Sequence, residues 1–162
     1  MKRTTEIYNF MQVNEQVATS GQPTISQLES AAGEGFQTII NLGLLGQDYS
    51  LKDEAGLVRS LGMDYYHIPV EWDNPKIENF IEFEKLLNNL SSRNILIHCA
   101  ANFRASAFYA LYALRNLDWS EAQAKAFMLP VWQGSNYPVW EKFITQIKSY
   151  RGSLLPHGGE NG

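Results

Sequence analysis

Residues 94–99 read NILIHC, an apolar run that lacks the in-out alternation of a half-exposed strand. A run of that kind needs cover on both faces, so it predicts a buried strand at the centre of a sheet. Three further strand segments precede it: a short one at 17–20 (VATS), then 36–42 (FQTIINL) and 63–70 (MDYYHIPV), the latter two carrying β-branched or aromatic residues. Helical patterns lie between them. Residues 24–33 open with Thr24 and Gln27 at capping-box spacing and stop at Gly33 or Gly35, and residues 51–61 stop at Gly62. Strands alternating with helices predict βαβ units, hence an α/β fold: a three-layer sandwich with a central, mostly parallel four- to five-stranded sheet flanked by helices.

Beyond the third strand the pattern turns helical. Pro75 opens residues 76–90, where Ile77, Phe80, Ile81, Phe83, Leu86, Leu87 and Leu90 recur at helical spacing. Residues 104–117 read as a buried helix, and 120–128 and 138–150 as two more, with Ser120 and Pro138 as their starting signals. A chain of 162 residues is the size of one domain, placed at 1–152, with 153–162 expected to be a flexible tail. No repeat or low-complexity tract competes with that organisation.

Several function classes are excluded early. Seventeen acidic residues against thirteen basic ones give a net charge of -4, which argues against a binder of nucleic-acid backbone. The lone Cys99 forbids an intrachain disulfide. His67, His98 and His157 are not spaced as paired ligands, so neither a metal nor another cofactor is expected. The start MKRTTEIYNF has no secretory apolar core, and no run approaches the roughly 20 apolar residues of a membrane span. A soluble, cytoplasmic protein with no membrane partner is the expectation.

The cysteine then acquires a positive meaning. The strand ending at His98 delivers Cys99 to the carboxyl edge of a parallel sheet, where open α/β sheets bind ligands. Backbone amides of Ala100, Ala101, Asn102, Phe103, Arg104 and Ala105, curling into a helix start, present positive dipole to an anion. The dipole and Arg104 favour thiolate over thiol, and the guanidinium grips two oxyanion atoms at once. A nucleophilic thiolate, a ring of amides and one Arg suit attack on a phosphate monoester. The plainer reading is a buried thiol and an Arg paired with a carboxylate. His98 is a core residue or a support that orients the loop and tunes the thiol.

Residues 98–106, HCAANFRAS, resemble the phosphate-binding loop of cysteine-dependent phosphatases of the protein tyrosine and dual-specificity type. SGQP, TIINL and YHIPVEWDNP come before it in that order. Together they are similar to a bacterial branch of dual-specificity-like phosphatases related to the domain attached to beta-lactamase-like hydrolases. The likeness covers residues 17–117 and implies a phosphotyrosine-phosphatase-like fold, a cysteinyl-phosphate intermediate and no metal.

Carried over by residue, the resemblance implies Cys99 as nucleophile, Arg104 as phosphate binder and transition-state stabiliser, and Ser106 as a hydroxyl assisting the departing thiolate. The loop departs from the family pattern. Four residues separate Cys99 from Arg104 where five are usual, and Asn102 stands where Gly is expected, although Asn tolerates the left-handed conformation. Asp73, 26 residues before Cys99, is the candidate general acid, with Glu71 as competitor. Asp73 also has the chemistry of a helix cap ahead of the helix that Pro75 opens. Asn41 braces either the phosphate loop or a local turn, and Gly43 stands where relatives often carry Arg.

The expected partners are a phosphorylated protein or small molecule, with inorganic phosphate, sulfate or vanadate in the loop. Two other classes share the residues. Many rhodanese-type sulfurtransferases also have four residues between Cys and Arg and use the Cys to carry a persulfide. A pseudophosphatase would bind the oxyanion without turnover. Trp132, Tyr137 and Trp140 either line an entrance or pack the last helices, the commoner use of large aromatics. Phe103 reads equally as a substrate contact or a plug beneath the loop.

Overall fold

The computed structural model describes residues 3–150. His157 and the tail expected at 153–162 lie outside the described residues. The chain divides into two compact units: residues up to Val70 together with Ser92–Ser106, and Glu71–Ser91 together with the chain from Ala107.

The first unit holds the sheet. Its strands are β1 (Met11–Gln12), β2 (Val17–Ser20), β3 (Thr38–Asn41), β4 (Asp64–His67) and β5 (Ile95–His98), in spatial order β1-β2-β5-β3-β4. β2, β5, β3 and β4 run parallel, and β1 pairs antiparallel with β2. The NILIHC run is central, as its composition predicts: all four residues of β5 are buried, with β2 on one side and β3 on the other. The register sets Ser20, His98 and Asn41 abreast at the carboxyl ends of three adjacent strands, which fixes where Cys99 emerges.

Two helices complete this unit. α1 (Ile25–Gly33) starts with the capping box expected of Thr24 and Gln27. α2 (Glu54–Ser60) starts three residues later than the pattern at 51–61 suggests, because Asp53 accepts from the Gly56 amide and caps it there. The core gathers Ile7, Ala18, Leu28, Ala31, Ile39, Val58, Met63 and Leu96. β1 and a 3₁₀ turn at Thr4–Glu6 were not expected; a two-residue strand exists through its pairing, and its sequence carries no period. The third expected strand is assigned only to His67. Its extended course continues, however, with Ile68 donating to the Asn41 carbonyl at 2.9 Å and Val70 to that of Leu42 at 3.0 Å.

The second unit is helical: α3 (Ile77–Asn89), most of α4 (Phe103–Asn116), α5 (Glu121–Trp132) and α6 (Pro138–Ser149). Phe80, Phe83, Phe108, Trp140 and Phe143 form a buried aromatic core with ring centroids 5.3–6.2 Å apart. α5 starts at the Ser120 cap but runs past Met128 and through Pro130. Pro130 has no amide to offer the Ala126 carbonyl one turn back, and both residues are exposed, where water can take its place. Among the described residues no helix is long and apolar enough to cross a membrane.

Candidate active site

Cys99 follows β5 directly and is 1% exposed. Its amide donates to the Ser20 carbonyl at 3.3 Å, and the next carbonyl, of Ala100, accepts from Gln22 at 2.9 Å. Ala101 bridges antiparallel to Gly21. A Cβ on Gly21 would stand 2.6 Å from the Ala100 oxygen, so the Gly of the SGQP segment is what allows two backbones to meet beneath the loop. Asn102 then takes φ 72°, the left-handed turn that Asn tolerates, and α4 begins at Phe103.

That turn is fastened from the amino-terminal segment. Asn102 Nδ2 donates to the Asn9 carbonyl at 2.8 Å and to Thr19 Oγ1 at 3.1 Å, while Asn9 Nδ2 donates to the Ala101 carbonyl at 2.9 Å. Asn9 is itself left-handed, with φ 53°. Nothing local in the sequence marks Asn9 as part of the loop, because its partner lies 93 positions further on.

Arg104, in the first turn of α4, is 6% exposed. Its Nη1 donates to the Val70 carbonyl at 2.7 Å, and among the described residues it forms no ion pair. The reading in which this Arg pairs with a carboxylate is thereby set aside. A guanidinium holds five N–H donors and a full charge, and a single neutral carbonyl compensates neither. Ser106, one helical turn beyond Asn102, donates its hydroxyl to the Asn102 carbonyl at 2.7 Å and lies 3.2 Å from that of Phe103, tying the loop to the helix. Phe103 is half-buried.

His98 is fully buried between two acceptors. Its Nδ1 lies 3.2 Å from the Cys99 carbonyl and its Nε2 2.5 Å from Glu54 Oε2. The other carboxylate oxygen of Glu54 accepts from Gln22 Nε2 at 2.8 Å. Burial alone would raise the Glu54 carboxyl. The charge and hydrogen bond of His98, with Gln22 and His67, outweigh it and hold the group below its ordinary value. Neither Glu54 nor Gln22 is distinguishable in the sequence from a helix-start acid and a loop amide.

Asn41 sits level with His98, yet its side chain serves the turn after β3. Its Oδ1 accepts from the Gly43 amide at 2.7 Å and its Nδ2 donates to the Tyr65 hydroxyl at 3.1 Å. Burial pushes the Tyr65 hydroxyl up to about 12, against the Asn41 hydrogen bond. His67 Nε2 lies 2.6 Å from the Gly43 carbonyl.

The two candidate acids lie in the second unit. Glu71 and Asp73 are both exposed, and a turn between them is closed by the Asn74 amide donating to the Glu71 carbonyl at 3.2 Å. Asp73 does not cap α3: the N-cap is Lys76, whose amide donates to Asn79 Oδ1. Trp72 anchors the turn. Its carbonyl accepts from Trp140 Nε1 at 2.8 Å, and its ring packs against Trp132, Tyr137 and Trp140 at 5.1–6.0 Å. Trp132 and Trp140 are buried packing residues, whereas Tyr137 remains 39% exposed. Among the described residues no three His, Cys, Asp or Glu side chains gather as a metal-binding group.

The fold that carries this loop is that of the protein tyrosine and dual-specificity phosphatases. It matches the crystal structure named Tk-PTP with a TM-score of 0.71 at 18% identity, covering 88% of this chain and 98% of that one. A "Putative phosphatase (DUF442)" of Shewanella putrefaciens CN-32 is more similar still: 33% identity and a TM-score of 0.84 over 90% of this chain and 92% of that one. The chain belongs to the same family as that Shewanella protein, the DUF442 family. A beta-lactamase hydrolase-like protein of Xylella fastidiosa is 28% identical over 105 residues, 63% of this chain. The chain spans about a quarter of the length of such curated relatives, 24% in that case. No protein-family model matches it.

Proposed function

We propose that the chain is a phosphomonoester hydrolase acting through a cysteinyl-phosphate intermediate, a phosphatase of the protein tyrosine and dual-specificity type. The observation that carries the proposal is Arg104: a buried guanidinium with one carbonyl partner and no carboxylate, one loop away from a buried cysteine. Such a group calls for an anion, and phosphate matches its planar fork. The phosphatase relatives of the same fold support the choice of anion.

Cys99 Sγ, as the thiolate that is the reactive form of any cysteine, attacks phosphorus. The S–P bond forms as the bond to the leaving oxygen breaks, and that oxygen takes a proton from Asp73, with Glu71 as alternative donor. Water then attacks phosphorus and gives its proton to the carboxylate; the S–P bond breaks and inorganic phosphate leaves. Arg104 and the amides of Ala100, Ala101, Asn102, Phe103 and Ala105 hold the anion through both steps. For Ser106 to assist the departing sulfur, its hydroxyl must exchange the Asn102 carbonyl for Sγ.

The test is hydrolysis of p-nitrophenyl phosphate. Wild type should release phosphate, and Cys99→Ser should not while still binding vanadate. Thiocyanate formation from thiosulfate and cyanide, with no phosphate release, would overturn the proposal in favour of sulfur transfer. Oxyanion binding by both proteins with turnover by neither would leave a pseudophosphatase.

A further inference from the structure

Glu54 opens α2 and is 3% exposed. Acids are common at helix starts on protein surfaces, where the dipole favours them, but a buried carboxylate needs partners for both oxygens. Here both are taken: Oε1 by Gln22 Nε2 at 2.8 Å and Oε2 by His98 Nε2 at 2.5 Å. The second nitrogen of His98 faces the Cys99 carbonyl at 3.2 Å. A carboxylate and a carbonyl only accept, so each ring nitrogen of His98 is set against an acceptor.

We infer that Glu54 is the positioning residue of the Cys99 loop: through His98 it holds the Cys99 carbonyl and keeps a compensated positive charge beside the nucleophile's own peptide. The inference rests on the hydrolase reading for its rate consequence only. Beyond its direct partners Glu54 feels the charge of His67 on β4; it in turn raises the Tyr65 hydroxyl, over whose ring Arg59 of α2 stands at 5.9 Å. His67 acts in the same direction as His98, lowering the carboxyl. With Glu54 replaced by a neutral amide, the buried imidazolium has no counter-ion. The bond from the ring to the Cys99 carbonyl then loses its charge assistance and the loop its fixed support.

The test uses the full chain in four forms: wild type, Glu54→Gln, Glu54→Asp and Gln22→Ala. Nitrogen NMR of the His98 ring at neutral pH should show two protonated nitrogens in wild type and one in Glu54→Gln. With p-nitrophenyl phosphate, Glu54→Gln should lose roughly ten- to a hundredfold in kcat, the rate equivalent of one charge-assisted hydrogen bond, with KM moving less than about threefold. Glu54→Asp should restore part of both. A wild-type ring with one bare nitrogen, or a Glu54→Gln protein unchanged in kcat and ring protonation, would overturn the inference. Wild type with no turnover removes the hydrolase reading alone, because the ring measurement still decides this one. If Glu54→Gln fails to fold, Gln22→Ala must move the His98 Nε2 proton resonance and lower kcat by a smaller factor, and an unchanged spectrum and rate would overturn it.

Discussion

Asn9 and Asn102 are each left-handed, and each reaches across with its side-chain amide: Asn102 Nδ2 to the Asn9 carbonyl at 2.8 Å, Asn9 Nδ2 to the Ala101 carbonyl at 2.9 Å. The loop between Cys99 and α4 therefore owes its shape to a residue near the amino terminus as much as to its own sequence. Asn102→Gly keeps the turn's φ and loses the bonds, whereas Asn102→Ala loses both. Chemical denaturation should rank them: about 1–2 kcal/mol lost for Gly, and roughly 1 kcal/mol more for Ala. Equal losses would mean the turn geometry carries none of the cost.

Gly21 gives a second test of the same loop. A Cβ there meets the Ala100 carbonyl oxygen at 2.6 Å and Tyr8 atoms at 3.0 Å, two of these three contacts being backbone. Backbone cannot swing aside as a long side chain can, so Gly21→Ala should cost about 1–3 kcal/mol and weaken phosphate binding by displacing the loop. Thermal unfolding with and without phosphate reads both. A stable variant with wild-type phosphate binding would show that the close approach is dispensable.

What the sequence discloses and what it hides divide along contact range. The four parallel strands, the capping box at Thr24, the helix start at Ser120 and the cysteine loop were legible because the residues that specify them are neighbours in the chain. Asn9, Gln22 and Glu54 were not. Their chemistry depends on partners 92, 32 and 44 positions away, and separations of that length leave no periodic imprint. Asp73 is the intermediate case: its residue type suits a cap ahead of the helix expected from residue 76, and the backbone gives the N-cap to Lys76 instead.

Glu54 also makes stability depend on pH, with a definite sign. Its carboxyl is lowered in the folded protein from a starting value of 4.5, despite burial, by His98 and Gln22. A lowered acid stabilises the fold above its unfolded value, and that contribution is lost as pH falls through the folded one. Wild type should therefore exceed Glu54→Gln in stability at pH 6, by a margin on the order of 3 kcal/mol for a broken buried pair. The margin should shrink steadily below about pH 4.5. Denaturation of both proteins across pH 3–7 measures it, and a margin independent of pH would mean that the carboxylate charge contributes nothing.

Arg104→Lys separates charge from geometry. Lysine keeps the positive charge but offers a point donor in place of the fork, so it cannot hold the Val70 carbonyl as the guanidinium does and grip an anion as well. Turnover should fall by about 10²–10³ while the fold survives, the loss typical of one transition-state donor. Retained turnover would mean that charge alone suffices and that the Val70 contact is incidental.

The acid assignment is decided by leaving groups. A proton donor matters in proportion to the basicity of the oxygen it must protonate, so a series of aryl phosphates from p-nitrophenyl to phenyl sorts the candidates. Asp73→Asn should lose little on the first and about 10²–10³ on the last, steepening the dependence of kcat on leaving-group pKa. Glu71→Gln should leave that slope alone if Asp73 is the donor. Both residues are exposed in a turn anchored by Trp72, so either substitution leaves the buried packing intact, and a changed slope reports proton donation. A steepened slope in Glu71→Gln alone would move the role two positions back along the chain. Unchanged slopes in both would remove the acid from this turn altogether.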